Sequence, residues 1–253
     1  MMLQTGNTQV KWRCNIFGAE NLMEDCAIAL ASLKPRERIV STARDLFRRH
    51  GIRGVGVDAI VEAAHTNKMT LYRHFGSKDE LVVACLREFA READEIWGEF
   101  EVDHPGDALA QLHAWVRCGA ECVVDDGRGC DMANAAVELA DSDHPARHVI
   151  EEFKTAHRNR LVVLCRDAGI VQAEMLADAL WLLIEGARVS RQSMGAKGPC
   201  GRFVLIAEAV IAAFAHEPQS HPAQGSLRCA ADNSAATGSY DAMVNEDMVE
   251  GVD

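Results

Sequence analysis

None of the six prolines in this chain falls inside a helical pattern. Pro35, Pro105, Pro145 and Pro199 each open a stretch of helix formers, and Pro218 and Pro222 lie in a polar tail. Proline fits the first turn of a helix, but further in it removes a hydrogen bond and clashes with the preceding turn. The placement therefore predicts a mostly helical protein. Period-two alternation rich in Val, Ile and Thr is absent, so no sheet is expected.

Apolar periodicity predicts nine main helices near 34–50, 57–64, 68–75, 78–99, 105–124, 130–140, 145–168, 172–193 and 200–215. Gly51 and Gly169 stand where left-handed caps would end helices, and Ser77 to Glu80 reads as a capping box. The 253 residues suffice for one large or two modest domains. Residues 1–32 have little periodicity beyond a weak apolar patch at Leu22 to Leu30, and are expected to be poorly ordered or a short helix. Residues 217–253 carry one Arg against seven acids and are expected to be disordered.

No apolar run approaches the roughly 18 residues needed to span a bilayer. Runs such as Cys26 to Ala31 and Leu161 to Cys165 hold six and five. The first residues lack the apolar region of a secretory signal, so a reducing cytoplasm is the expected location. Nine cysteines, an odd number with no C-x-x-C spacing, are then expected to be thiols.

The net charge of −12 is unevenly spread. Residues 33–82 carry ten Lys and Arg against six acids, a balance of +4, which leaves −16 on the remainder. Such asymmetry points to a small module that approaches phosphates, carried on an acidic body.

Within that module the first helix places Ile39, Ala43, Leu46, Phe47 and His50 on one stripe, with Arg44, Arg48 and Arg49 elsewhere on its surface. Two short helices follow, joined by Ala64-His65-Thr66-Asn67, the spacing of a helix-turn-helix. Asn67 is positioned to cap the second of them. Leu71 and Phe75 fall on one side of this helix and Met69, Thr70 and Arg73 on the other. Lys68, Tyr72 and His74 lie toward its flanks, and Lys78 enters the next helix at its N-terminus, where donors meet phosphates.

The run from Arg38 to Leu81, above all KMTLYRHFGSKDEL from Lys68, resembles the DNA-binding domain of the TetR family of bacterial transcriptional regulators. The resemblance covers nearly fifty residues and rests on the core T-L-Y-x-H-F-x-S-K-x-x-L. It implies an all-α subunit: a three-helix DNA-binding domain at 33–80 and a helical effector-binding and dimerisation domain at 81–216. It also implies a homodimer that binds a double-stranded DNA operator and answers to a small-molecule effector. Thr70, Tyr72, His74 and Lys78 occupy positions that contact DNA or orient the contacts in that family, and Lys68, Met69 and Arg73 complete the candidate set. His65 stands where glycine is usual, although His is among the residues that tolerate positive φ. Thr66, Met69, Val55 and Gly56 also depart from the family pattern, and bear on which operator is read.

The helices at 172–193 and 200–215 are apolar around most of their circumference, so each must be covered on two sides. Leu176, Leu180, Leu183, Phe203, Ile206, Val210 and Phe214 are the candidates for an intersubunit four-helix bundle. Trp181 lies on the polar stripe of its helix with Glu185, a placement that a cavity with one aromatic wall would explain. Trp97, Trp115, Met132, Asn134 and Phe153 are further candidates for its lining.

The rival class is an all-helical thiol- or metal-dependent enzyme using His113, Cys118, Cys122 and Cys130. Nucleotide-binding glycine loops, H-E-x-x-H and G-x-S-x-G are all absent, so no enzyme, cofactor or metal is expected.

Overall fold

The computed structural model describes residues 33–124, 130–139, 141 and 143–215; the expectations for 1–32 and 217–253 lie outside them. The described residues form nine α-helices, one 3-10 turn and no strand. The helices are α1 (Pro35–His50), α2 (Val57–Ala63), α3 (Lys68–Phe75), α4 (Lys78–Asp103), α5 (Ala108–Val124), α6 (Asp131–Glu138), α7 (Pro145–Asp167), α8 (Ala173–Met194) and α9 (Phe203–Ala215).

Two boundaries differ from the periodic reading for local reasons. α4 runs on to Asp103, and α5 starts only after Gly106, whose φ of +70° breaks the helical path. The Asp107 carboxylate then accepts from Ala110 N at 3.0 Å, so that Asp107 rather than Pro105 opens the helix. Before α9, Pro199–Arg202 forms the 3-10 turn. Gly51 and Gly169 do adopt positive φ, at +75° and +80°.

α1, α2 and α3 close around Ile39, Val40, Ala43, Ile60, Leu71 and Phe75, with Leu81 and Cys85 from the start of α4. A second cluster joins Ile52, Val82, Val83 and Leu86 to α6 and α7 through Met132, Ala135, Val149 and Ile150. α4 therefore serves both the small module and the body. The third cluster, built from α5, α7, α8 and α9, holds Leu112, Trp115, Val116, Leu161, Leu176, Leu180, Ile184 and Phe203. Burying a Leu side chain such as Leu71 contributes about 1.5–3 kcal/mol.

Candidate nucleic-acid interface and body cavity

The turn between α2 and α3 is built from backbone bonds. His65 N donates to Glu62 O at 3.1 Å and Thr66 N to Val61 O at 2.9 Å, with His65 at φ +47°. This is a Schellman closure with histidine in the left-handed position that glycine usually takes. Arg38 Nε adds a bond to Ala64 O at 2.9 Å, fixing the end of α2 to α1. Asn67 then starts α3 by accepting from Thr70 N at 2.9 Å.

Leu71 is fully buried and Phe75 nearly so, whereas Met69 is 80% exposed and Tyr72, Arg73 and His74 are exposed beside it. α3 is thus held by its back, with its front open to solvent. Lys68 Nζ lies 2.7 Å from Asp58 Oδ1 on the exposed start of α2. Lys78, expected to face a phosphate, is turned inward: its Nζ donates to Ile52 O at 2.6 Å and sits 6.0 Å from the Phe47 ring centroid. The Ile52 carbonyl, in the loop that follows α1, attracts that ammonium.

Arg44, read from the sequence as a surface residue of α1, is buried. Both of its terminal nitrogens donate to Glu92 of α4 at 2.8 Å, and Asp131 of α6 lies 3.7 Å away. Arg48, one turn on, approaches Asp131 at 3.3 and 3.4 Å. Arg53 N also donates to Glu138 Oε2 at 3.1 Å. The module is therefore tied to α6 by charge as well as by the Ile52 cluster. Sequence periodicity gave no sign of these pairs.

A cavity of about 130 Å³ opens inside the body between α4, α5, α7 and α8. Trp97, Trp115, Phe153 and Trp181 line it, joined by Phe89, Phe100, His157, Lys154, Arg188 and Arg48. Three expected members lie elsewhere. Met132 is buried in the cluster beside Ile52, and Asn134 lines a smaller neighbouring cavity of about 30 Å³ between α1 and α6. Glu185 is not in the lining but pairs with two residues that are, 2.7 Å from Lys154 Nζ and 3.2 Å from Arg188 Nη1. Lys154 Nζ lies 5.3 Å from the Trp181 ring centroid, which accounts for a tryptophan on a polar stripe. Trp97 Nε1 donates to His157 Nδ1 at 2.8 Å, and burial lowers the His157 pKa to about 4, so the imidazole is neutral at pH 7.

Cys118, Cys122 and Cys130 also line the cavity, but His113 points elsewhere, its Nδ1 2.6 Å from Glu208 Oε2 of α9. A hydrogen bond with Cys122, followed by burial, pushes the Cys118 thiol well above its ordinary range, which disfavours the reactive thiolate. Among the described residues no three His, Cys, Asp or Glu side chains are grouped to hold a metal ion.

The apolar faces of α8 and α9 divide differently from the expectation. Leu176, Leu180 and Phe203 are not at a free surface but in the subunit's own core, where α5 and α7 cover them. Leu183, Val210 and Phe214 are half-buried against that core. Ile206 remains exposed, together with Met175, Leu182 and Val189 along one side of α8 and Leu205 on α9. Positions 175, 182 and 189 repeat every seven residues, two helical turns, which sets them in a row along one face.

Residues 39–85 match the family model for bacterial regulatory proteins of the tetR family. An uncharacterized HTH-type transcriptional regulator of Mycobacterium tuberculosis is 25% identical over 170 residues, which cover 65% of this chain and 80% of that protein. The HTH-type transcriptional repressor KstR2 of Rhodococcus jostii is 27% identical over 142 residues, 54% of this chain and 64% of the relative. Among solved structures, a TetR-family transcriptional regulator from Streptomyces coelicolor superposes with a TM-score of 0.64 at 25% identity, covering 71% of this chain and 95% of its own.

Proposed function

Because the chain belongs to the TetR family of transcriptional regulators, we propose that it is a homodimeric, ligand-responsive repressor acting in the cytoplasm on a pseudo-palindromic DNA operator. The observation that carries this reading is α3 itself, anchored through Leu71 and Phe75 with Met69, Arg73 and Tyr72 exposed. In this reading Met69, Thr70 and Arg73 meet base edges, while Lys68, Tyr72 and His74 meet the backbone. Lys78 reaches a phosphate only by leaving Ile52 O; otherwise it positions the start of α4.

The name of the Rhodococcus relative favours repression over activation. The exposed ridge of Met175, Leu182 and Val189, with Leu205 and Ile206 on α9, is a fitting surface for a second copy. Two α3 helices would then occupy successive major grooves about 34–36 Å apart. The cavity is the effector site in this reading. Arg48 and Asp131 stand in its wall and also join α1 to α6, so an occupant of the cavity acts on the seat of the DNA-binding module. A coupling of about 1–3 kcal/mol changes operator affinity about 5–150-fold.

The enzyme alternative finds little support: Cys118, Cys122 and Cys130 share the cavity, but His113 is paired with Glu208 away from them and the Cys118 thiol is held protonated. Among the described residues no helix is long and apolar enough to cross a membrane. A mobility-shift titration on the DNA flanking the gene, at stated salt and with and without a metabolite extract, tests the proposal. Sequence-specific binding that the extract weakens is expected. Binding no tighter than to unrelated DNA would refute it.

A further inference from the structure

One face of α5 lines the body cavity through Trp115, Cys118, Gly119 and Cys122. Residues spaced by three and four are neighbours along one side of a helix, so these four form a continuous strip. The strip is held in place. A Cβ on Gly119 would stand 2.7 Å from Ile184 Cδ1, so α8 packs against the backbone of α5 between the two cysteines. Cys118 and Cys122 lie about 6 Å apart along the helix axis, and both are half-buried thiols. Their side chains hydrogen-bond to each other, which brings the two sulfurs into contact.

The chemistry of the pair limits what it can take. The bond to Cys122, and then burial, keeps the Cys118 proton in place, which disfavours reactions that begin with a thiolate, such as alkylation and peroxide oxidation. Zinc is disfavoured as well, because its sites use four ligands and, among the described residues, no three His, Cys, Asp or Glu side chains are grouped. An arsenic(III) centre that already carries one organic group needs only two sulfurs, and its own oxygen can take both thiol protons. The organic group then faces the apolar wall supplied by Trp97, Trp115, Phe153 and Trp181.

We propose that Cys118 and Cys122 form a two-thiol site for monosubstituted trivalent arsenicals. In the binding step the two S–H bonds and the arsenic–oxygen double bond break, while two As–S bonds form and the oxygen leaves as water with both protons. Arsenic stays trivalent, and no oxidant or reductant is consumed. The site does not depend on the chain's binding DNA, so its test is separate from that of the regulator reading.

The full chain, reduced and then freed of reductant, is titrated with phenylarsine oxide and followed by intact mass and tryptophan fluorescence. An adduct is expected whose mass equals protein plus reagent less one water, with altered fluorescence because Trp115 lies one turn from Cys118. A 1,2-dithiol should strip the arsenic, and a monothiol at the same concentration should not. Cys118→Ala and Cys122→Ala should each weaken binding at least about 100-fold, since a lone thiol lacks the effective concentration of a pair. Cys130→Ala, in the same cavity, should bind like the parent protein. Peptide mapping of the parent adduct decides the matter where a variant fails to fold. Arsenic on other cysteines alone, no adduct, or undiminished binding by Cys118→Ala overturns the proposal. An adduct on Cys118 and Cys122 supports it whether or not phenylarsine oxide alters operator affinity in a mobility shift.

Discussion

Arg48 of α1 reaches Asp131 of α6 at 3.3 Å, and both side chains stand in the wall of the body cavity. The same carboxylate lies 3.7 Å from Arg44, so one acid joins two arginines of α1 to the helix beside the cavity. Asp131→Asn keeps the shape and removes the charge. The fold-change in operator affinity caused by effector should shrink toward one, measured by mobility shift with and without metabolite extract. Urea unfolding should show a loss approaching the about 3–5 kcal/mol typical of a broken buried pair. An unaltered effector response would exclude Asp131 from the coupling.

Arg73 is exposed on the open side of α3, and its guanidinium has the fork geometry that pairs with the major-groove edge of guanine. Arg73→Ala is expected to cost about 1–3 kcal/mol on the native operator and to relax preference at one base position in each half-site. Leu71→Ala, by contrast, should melt the module itself. Binding selection on randomised operators distinguishes the two, and an Arg73 variant with undiminished base preference would take this residue out of the reading set.

At His65 the backbone asks for glycine and the sequence supplies an L-residue, at φ +47°. The left-handed conformation costs an L-residue roughly 1–2 kcal/mol, part of which is offset because glycine has more freedom to lose on folding. His65→Gly should therefore stabilise by about 0.5–1 kcal/mol, and β-branched His65→Val should destabilise by at least as much. Thermal melting of the two variants gives the ordering directly, and the opposite order would mean that the imidazole itself supports the turn.

What could be read from the chain ahead of its structure was local. Asn67, Leu71 and Phe75 lie within one short helix, so their spacing alone placed the cap and the anchored face. Arg44 and Arg48 find acids 48 and 83 residues away, and nothing in the periodicity of α1 encodes such partners. The aromatic wall was partly legible because Trp97, Trp115 and Trp181 are few and large, whereas nothing in the sequence around Lys154 sets it apart from other helix charges. On α8 and α9, apolar residues around most of the helix said that two faces are covered. They did not say that Leu176, Leu180 and Phe203 face inward while Leu182 and Leu205 face out.

His157 makes stability depend on acidity in a defined window. Burial lowers its folded pKa to about 4, below the ordinary value of about 6.5, so the folded state favours the neutral ring. Between these values the unfolded chain binds more protons, and stability rises with pH. The contribution is complete above pH 6.5 and is lost as pH falls toward 4, by at most about 3 kcal/mol. His157→Gln, which keeps an acceptor for Trp97, should flatten this part of the urea-stability profile between pH 6.5 and 4. A profile as steep as that of the parent protein would place the acid sensitivity in other groups.

Leu182 is 71% exposed at the middle of the α8 ridge, with Met175 one heptad before it and Val189 one heptad after. An isolated subunit gains little from three such side chains in water, whereas burying each against a second copy contributes about 1.5–3 kcal/mol. If a second copy packs on this ridge, Leu182→Glu puts a buried charge on each side of the contact and should shift the protein from dimer to monomer in sedimentation velocity. Leu180→Ala, in the core of the same helix, should instead lower stability by about 2–5 kcal/mol and leave the association state unchanged. Operator binding should fall with the Leu182 change through loss of the second α3. A Leu182 variant that remains a dimer would move the interface off this ridge.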